Sequence, residues 1–339
     1  TNFNKLKLEK QKKGKNKMPI IPTPFGFAYT DDIDIQGMAE SIERLKRPEG
    51  PVDVVLDTDT YNEVDDQFAL AYLIQSGEKL NLKAIYAAPF DNHHSCGPLD
   101  GMERSYQEIK KVLSMMGRTE YEDCIYKGAG AFLKNETEPA DSPAARHLAE
   151  LAMNYTKEQP LYIIGIAAAT NLASALLLKP EIRERIFVVW LGGLGLDWHD
   201  NFSFNAKQDV AAARVLLGSG VPLVLLPGRG VVDHFLTTGP ELEYWLRGKN
   251  PFCDYMLDKT AHEAAIMSGE SCWSRPISDV TAVGWLVDNE FMLDRLEPSP
   301  IMEYDHHYSK DKRRPFIRYV YSINRDRLMK DLFDKLAAI

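Results

Sequence analysis

The sequence predicts an α/β fold of Rossmann-like type, with a mostly parallel sheet and helices on both of its faces. Short apolar segments rich in β-branched residues recur along the chain, and segments with helical spacing separate them. Strands that alternate with helices in this way form parallel sheets that the helices cover on both sides. Ligands bind beyond the carboxyl ends of such strands, so the polar residues that follow each strand are the candidates for a functional site.

The first part of the chain predicts a helix followed by alternating strands and helices. Residues 34–46 repeat apolar side chains at helical spacing, and Pro48 to Pro51 then break the chain. Residues 52–57 are short, β-branched and mostly apolar, which is typical of a buried parallel strand. The same criteria then predict helix 65–75, strand 82–88 and helix 103–116.

The second part continues this alternation to the end of the chain. Ser142 followed by Pro143 is typical of a helix N-cap with proline in the first turn, and it predicts a helix over residues 143–155. Apolar segments predict strands 161–166, 186–191, 221–226 and 316–322. Helical spacing predicts helices 171–178, 208–217 and 325–336.

The predicted domain organisation is an N-terminal extension, residues 1–50, and a single α/β domain, residues 51–339. The extension combines a lysine-rich tail, with seven lysines and one glutamate in residues 1–17, and the first predicted helix. Such a composition is typical of a solvated tail. The rest of the chain is acidic, and the net charge of −9 argues against nucleic acid as a partner.

The cysteines and the hydropathy pattern indicate a cytoplasmic protein. None of the four cysteines stands in a C-x-x-C pair, so neither a zinc ribbon nor a redox motif is indicated. No apolar segment approaches the roughly 20 residues that a membrane span needs, so no membrane partner is expected.

The acidic segment Asp57–Asp66 is the strongest candidate for a site. It follows the first strand and holds five carboxylates in ten residues. Like charges at this density raise one another's pKa unless a cation neutralises them. Calcium, which prefers oxygen ligands, meets that need. The alternative is a solvated acidic turn in which Asp65 and Asp66 favour the start of a helix.

Three later segments supply further candidates. Small residues follow strand 161–166 and would allow a close approach of the backbone to a ligand. A polar and aromatic loop follows strand 186–191, and its Trp198 is placed either to stack on a nucleobase or to cover the core. Asp279 opens an apolar helix, where it is either a remote metal ligand or a helix cap.

Together these segments resemble the inosine-uridine-preferring nucleoside hydrolases. That family carries Asp-x-Asp-Pro-Gly-x-Asp-Asp after its first strand, and Asp57, Asp59, Asp65 and Asp66 match its aspartates. Four later family segments match in the same order along the chain: residues 169–173, 191–194, 203–205 and 278–280. The matches run from about Val52 to the C-terminus, and their combination is more specific than any one of them.

The resemblance implies hydrolysis of the N-glycosidic bond of a ribonucleoside or a related ribosyl compound. It implies a calcium ion with a bound water and Asp59 as the base that takes a proton from that water. It also implies assembly as a homodimer or homotetramer. The implied calcium ligands are Asp59, Asp66, the backbone carbonyl of Ile166 and Asp279. The implied ribose contacts are Asp65, Asn205 and Asp279, with Asn92 as a further ribose-binding residue.

Three departures from the family pattern concern the rest of the substrate. Five residues separate Asp59 from Asp65, where the family has three, so the loop must bulge near the site. Ser203 replaces a glutamate that helps to bind the 5′-hydroxyl group, which leaves Asn201 as a candidate there. Ser278 replaces a histidine that protonates the leaving base in many members. The substitutes are His93, His94 and His199, or stacking of the base on Trp198 or Tyr61.

Two other functions compete with hydrolysis. A protein that kept the ribose and calcium site without a leaving-group acid would be a non-catalytic nucleoside-binding protein. The strand that ends in Asp57-Thr58-Asp59 also resembles the first motif of haloacid-dehalogenase-like phosphatases. That family places its late acidic pair far downstream, whereas Asp65 and Asp66 follow here within a few residues.

Overall fold

The structure is a computed structural model that describes residues 35–269 and 272–339. The predicted lysine-rich tail lies outside these residues. The strands are β1 (Val52–Thr58), β2 (Leu80–Ala87), β3 (Ile125–Lys127), β4 (Leu161–Gly165), β5 (Ile186–Leu191), β6 (Leu223–Leu226), β7 (Leu236–Thr238), β8 (Ser274–Pro276), β9 (Met292–Pro298), β10 (Ile301–Met302), β11 (Tyr308–Ser309) and β12 (Phe316–Ile323). The helices are α1 (Ile35–Glu43), α2 (Asp65–Gln75), α3 (Pro98–Met115), α4 (Pro143–Leu151), α5 (Thr170–Leu178), α6 (Phe204–Gln208), α7 (Val210–Gly218), α8 (Gly239–Leu246), α9 (Pro251–Ser268), α10 (Val280–Val287) and α11 (Arg325–Ala337).

A mostly parallel eight-stranded sheet forms the centre of the domain, which confirms the predicted fold class. The strand order is β3-β2-β1-β4-β5-β6-β12-β9. Every neighbouring pair in it is parallel except β12 and β9, which run antiparallel at one edge. Strands β7 and β8 form a separate antiparallel pair, as do β10 and β11.

The strand order changes direction at β1, and this change creates the crevice of the site. The chain runs from β1 outward through β2 and β3, and it then returns to place β4 on the other side of β1. Asp57 of β1 lies opposite Gly165 of β4 in the register of that pair. In such sheets the crevice between two diverging crossovers opens at the carboxyl ends of the strands, so the segments after β1 and β4 face it.

Two apolar cores cover the two faces of the sheet. Successive side chains of a strand point to opposite faces, so Val54 and Leu56 pack into one core and Val55 into the other. The first core includes side chains of α2, α3 and α9 to α11, and the second includes side chains of α4, α5 and α7. The helices therefore hold the sheet, and with it the strand ends, in a rigid position.

The segment that follows α1 in the N-terminal extension packs against the domain. Leu45 is fully buried, and the Arg47 guanidinium lies 4.4 Å from the centroid of the Trp285 ring. Arg47 also donates a 2.9 Å hydrogen bond to the buried carboxylate of Asp294, which the Trp285 indole NH contacts at the same distance. The extension therefore contributes a charged contact to the domain that the sequence pattern did not indicate.

Most predicted elements are present with small shifts of their ends, and two differences matter. The predicted helix 208–217 corresponds to α7, which begins only at Val210 because Asp209 leaves the helical conformation and its carboxylate accepts a hydrogen bond from the Ala212 NH. The short helix α6, for which no element was predicted, precedes it. The helices α8 and α9 and the edge strands β3 and β9 lie in segments for which the pattern predicted no element. No helix among the described residues has the length and apolar character to cross a membrane.

Candidate active site

Three buried carboxylates meet beyond the carboxyl end of β1. Asp65, Asp66 and Asp279 each offer an oxygen within 4.8 Å of the other two, in a geometry that suits a metal ion. The backbone NH of Asp279 lies 3.4 Å from Asp65 Oδ2, although 214 residues separate the two along the chain. The Asp279 side chain makes no capping hydrogen bond to α10, and the buried positions of Asp65 and Asp66 exclude a solvated acidic turn.

Asp59 stands beside this cluster with an unpartnered carboxylate. Its side chain is 1% exposed, and among the described residues neither of its carboxylate oxygens has a hydrogen-bond partner. Buried polar atoms are almost always satisfied, so such a carboxylate is a strong indication of a bound cation or water. Asp59 falls outside the group of three that meets within 4.8 Å, so its role as a metal ligand stays a prediction.

Burial and mutual repulsion raise the pKa of every carboxyl group in the cluster. Burial is the largest cause for Asp59, Asp66 and Asp279, whose pKa values rise well above the ordinary range, and the neighbouring aspartates add to it. Burial also raises the pKa of Asp65 to about 7, while the charge of Arg275 acts in the opposite direction. A divalent cation would reverse these shifts, because it stabilises the ionised forms.

Asp57, near the end of β1, takes part in a hydrogen-bond network that includes Asn171. Asn171 donates a 2.8 Å hydrogen bond to Asp57 Oδ1 and accepts one of 2.9 Å from the Ala129 backbone NH. A Cβ atom at Gly128 would lie 2.2 Å from the Ala87 carbonyl oxygen and 2.6 Å from Asn171 Nδ2. Only glycine therefore fits there, and the amide of Asn171 links β1, α5 and the end of β3.

The inserted loop between Asp59 and Asp65 folds back on itself and contacts the loop after β2. The backbone NH of Asn62 donates to the Asp59 carbonyl oxygen at 2.7 Å. Its side-chain oxygen accepts a 2.6 Å hydrogen bond from Asn92, whose own oxygen accepts one from the His94 backbone NH. Both polar atoms of the Asn92 side chain thus form hydrogen bonds within the protein. Its predicted contact with ribose stays a prediction.

Tyr61 lines a small polar pocket on the outer side of this loop. The pocket has a volume of about 270 Å³, and the His93, His94 and Arg104 side chains also line it. The Tyr61 and His94 rings meet edge to face, with centroids 6.3 Å apart. Burial lowers the pKa of His94, and the neighbouring His93 adds to the effect, so His94 is a poor proton donor at neutral pH.

Glu63, in the same inserted loop, forms an ion pair with Arg275. The two side chains lie 3.0 Å apart, with Arg275 nearly buried and Glu63 partly exposed. Arg275 lies on β8, a short strand that leads directly to Ser278 and Asp279. The ion pair therefore connects the loop after β1 to the segment that carries the fourth aspartate.

Asn205 joins the ends of β4 and β5 at the inner side of the crevice. Its Nδ2 atom donates hydrogen bonds of 3.0 Å to the carbonyl oxygens of both Ile166 and Leu191. A carbonyl oxygen has two lone pairs, so this contact leaves the Ile166 oxygen with one acceptor position for the predicted metal contact. The metal and ribose roles of Ile166 and Asn205 stay predictions.

Asn201 and Trp198, in the loop after β5, differ in exposure. Asn201 is fully buried, its oxygen accepts from the Leu194 backbone NH at 2.6 Å, and its nitrogen donates to the Met302 sulfur. These bonds give Asn201 a structural role, and its predicted contact with the 5′ end of the sugar stays a prediction. The Trp198 side chain is 40% exposed, and its predicted stacking on a nucleobase stays a prediction.

Ser278 and His199 are the remaining residues considered for the leaving-group end of the site. The Ser278 hydroxyl donates a long hydrogen bond of 3.4 Å to the Val232 carbonyl oxygen. His199 is 78% exposed and pairs with Asp200 at 2.9 Å, which is a surface arrangement. The sequence did not indicate the hydrogen bond of Asn62 with Asn92 or the ion pair of Arg275 with Glu63. The only signal for Arg275 was the negative charge of Glu63 in the inserted loop, which needs a positive partner.

Comparison with known proteins identifies the family of the chain. The model of a family described as inosine-uridine preferring nucleoside hydrolase matches residues 54–330. The pyrimidine-specific ribonucleoside hydrolase RihA of Enterobacter sp. (strain 638) is 23% identical over 261 residues, which are 70% of this chain and 79% of RihA.

Two solved structures share the fold. A purine-preferring ribonucleoside hydrolase from Gardnerella vaginalis has a TM-score of 0.68 and 19% identity, and the match covers 84% of this chain and 98% of that one. The type III effector protein XopQ, complexed with adenosine diphosphate ribose, has a TM-score of 0.63 and 16% identity, with 89% and 98% covered. The predicted family and enzyme class are thereby confirmed: the chain belongs to the inosine-uridine preferring nucleoside hydrolase family.

Proposed function

We propose that this protein hydrolyses the N-glycosidic bond of a ribonucleoside or a related ribosyl compound, with Asp59 as the base. The observation that carries the proposal is the unpartnered, buried carboxylate of Asp59 beside a cluster of three further aspartates. A base must be within reach of the water that it activates and must have no competing partner. Family membership supports the reaction class, and the geometry supports the choice of base.

The donor set supports calcium as the cofactor. All the side chains of the cluster offer carboxylate oxygens, which hard cations prefer, and the predicted Ile166 carbonyl adds an uncharged oxygen. Asp59, Asp66, Asp279 and Ile166 would hold the ion, and Asp65 lies close enough to contribute. When it is bound, calcium orients a water molecule and lowers the pKa of that water.

The protein's own residues position the sugar and accept the proton. Asp65, Asn205 and Asp279 present carboxylate and amide oxygens, which suit the 2′- and 3′-hydroxyl groups of a ribose. Holding the ring in this way orients the scissile bond, and the nearby negative charge stabilises the positive charge that develops on the sugar. Hydrolysis of a glycosidic bond passes through such an oxocarbenium-like state. Asn92, Asn201 and Trp198 remain the proposed contacts around the ring.

The test measures ribose release from a panel of nucleosides and from p-nitrophenyl riboside in the presence of calcium. The Asp59→Asn variant is expected to lose about 10²–10⁴-fold in kcat, which is the usual contribution of a general base. Asp53→Asn is the matched control, because Asp53 lies at the opposite end of β1 in an ordinary surface ion pair with Lys83. Equal activity of the two variants would remove Asp59 from the mechanism.

Two other outcomes distinguish the competing functions. Calorimetric binding of nucleosides without ribose release from any compound would indicate a binding protein that has lost its activity. Release of phosphate from p-nitrophenyl phosphate would indicate a phosphatase. The proposed assembly is a homodimer or homotetramer, which sedimentation equilibrium measures directly.

A further inference from the structure

Arg275 is a nearly buried cation with an unsatisfied donor. The residue is 7% exposed, and its Nε atom is buried without a hydrogen-bond partner among the described residues. Its terminal nitrogen pairs with Glu63 at 3.0 Å. A guanidinium has five N–H donors and keeps its charge, so a single carboxylate leaves part of its bonding capacity available to a ligand.

The strand opposite Arg275 shows a second unsatisfied group. Thr237 of β7 lies directly opposite Arg275 in the antiparallel pair, so the two side chains share one face of that ribbon. Thr237 is fully buried, and its hydroxyl is also without a partner among residues 35–269 and 272–339. Two adjacent buried polar groups without partners indicate a place for a polar ligand atom or a water.

This place lies beside the aspartate cluster. Arg275 precedes Asp279 by four residues, and its ion-pair partner Glu63 precedes Asp65 by two. The ion pair with Glu63 therefore brings Arg275 to the loop that carries Asp65, at one side of the cluster.

The same segment has lost the residue that would protonate a leaving base. Ser278 stands where many family members have a histidine, and its hydroxyl already bonds the Val232 carbonyl oxygen. Arginine does not release a proton at neutral pH, so it cannot act as a general acid. A fixed positive charge can instead stabilise negative charge on a departing group.

We propose that Arg275 contacts the leaving group of the substrate and stabilises the negative charge that develops there as the N-ribosyl bond breaks. The inference rests on the proposed hydrolase function. The bond between C1′ and the base nitrogen breaks, and its electron pair stays on the nitrogen. The water oxygen bonds to C1′, and one of its protons passes to Asp59. The base leaves as an anion beside Arg275 and then takes a proton from solvent.

Glu63 acts in this proposal as a positioning residue. It belongs to the part of the loop that is longer than in the family pattern, and its carboxylate holds the guanidinium by one end. The two departures from the family pattern thereby act together. The serine at position 278 removes a proton donor from the leaving group, and the longer loop supplies Glu63, which positions the cation of Arg275 there instead.

The test compares substrates whose leaving groups differ in their need for stabilisation. Uridine has a poor leaving group, whereas p-nitrophenyl riboside releases an anion that is stable by itself. Arg275→Gln is expected to lower kcat/KM for uridine about 10²–10³-fold, which is the usual effect of removing one group that stabilises charge in the transition state. For p-nitrophenyl riboside the expected decrease in kcat/KM is less than about tenfold. Arg275→Lys is expected to recover part of the loss, because it restores the charge.

Arg44→Gln is the matched control, since Arg44 is a similarly covered arginine that pairs with one glutamate, Glu184, at 2.8 Å. Arg44→Gln is expected to leave kcat/KM unchanged for both substrates. Glu63→Gln retains the Arg275 side chain but removes the charge that holds its guanidinium, and it is expected to give a smaller loss, about tenfold, that is again confined to uridine. This variant tests the proposal if Arg275→Gln does not fold.

Equal losses on both substrates, or no loss on uridine, would overturn the role of Arg275 while the hydrolase function stands. If the unaltered protein releases ribose from neither compound, the proposed function fails first and the role of Arg275 falls with it.

Discussion

Calcium binding is expected to weaken steeply as the pH falls below about 7. Burial raises the pKa of Asp65 to about 7, and the pKa values of Asp59, Asp66 and Asp279 rise well above their ordinary range. Metal binding requires the ionised carboxylates, so each bound ion must displace protons at lower pH. One displaced proton weakens the affinity about tenfold for each pH unit, which is about 1.4 kcal/mol.

Isothermal titration calorimetry of the metal-free protein between pH 6 and pH 8 measures this slope. The calcium Kd at pH 6 is expected to be at least about tenfold higher than at pH 8, since Asp65 alone accounts for one proton. Repeating the titration in buffers of different ionisation enthalpy counts the protons that are released. A Kd that changes less than about threefold across this range would refute a metal site made from these carboxylates.

Asp57→Asn provides the matched control for this measurement. Burial raises the pKa of Asp57 to about 7 as well, but its partner is Asn171 and it lies outside the group of three aspartates. The variant is expected to keep the full slope, whereas Asp65→Asn is expected to reduce it by one proton. A weaker pH dependence of the calcium Kd in Asp57→Asn would show that the displaced proton comes from Asp57 and not from the three clustered aspartates.

The same shifts predict how the stability of the metal-free protein depends on pH. A carboxyl group whose pKa is raised from 3.8 to about 7 binds more protons in the folded than in the unfolded protein. The stability is therefore highest below the unfolded value and falls as the pH rises through about 7. Thermal unfolding at pH 5 and pH 8 is expected to show this decrease without calcium and to lose it when calcium is present.

Three further substitutions test the structural residues by urea unfolding. Gly128→Ala would place a Cβ atom 2.2 Å from a backbone oxygen and is expected to cost about 1–3 kcal/mol, whereas the control Gly50→Ala meets open space and is expected to be neutral. Asn201→Ala leaves a buried backbone NH without its acceptor and is expected to cost about 1–3 kcal/mol. Arg47→Met removes one partner of the buried Asp294 and is expected to cost about 3 kcal/mol, near the lower limit for a broken buried ion pair.

Each of these three has a contradicting result. Equal stability of the two glycine variants would show that the backbone around residue 128 can move apart. An unchanged free energy of unfolding in Asn201→Ala, together with a loss of activity, would return Asn201 to the substrate site. A neutral Arg47→Met would show that Arg318 and Trp285 satisfy Asp294 alone, since both also contact its carboxylate.

Local patterns predicted the core of the fold well and its edges poorly. Strand β5 and helix α2 were predicted with the ends that the structure shows, because each is a continuous, mostly apolar segment with polar or glycine residues next to it. Strand β3 has only three residues, and β9 has a single buried residue, so neither carries a distinctive apolar pattern. The position of β3 depends on its pairing with β2, and that of β9 on its pairing with β12. Other segments of the chain separate the two strands of each pair, so a local pattern does not reveal the pairing.

The sequence by itself determined the fold class and the acidic loop after β1, because both arise from residues close together in the chain. The resemblance to the family implied that Asp279 joins that loop, and the structure places its backbone NH against Asp65. The tertiary structure alone placed Arg275 against Glu63 and turned Asn201 inward to bond the backbone. Contacts of this kind depend on how helices and loops pack around the sheet, and periodicity along a single chain holds no information about that packing.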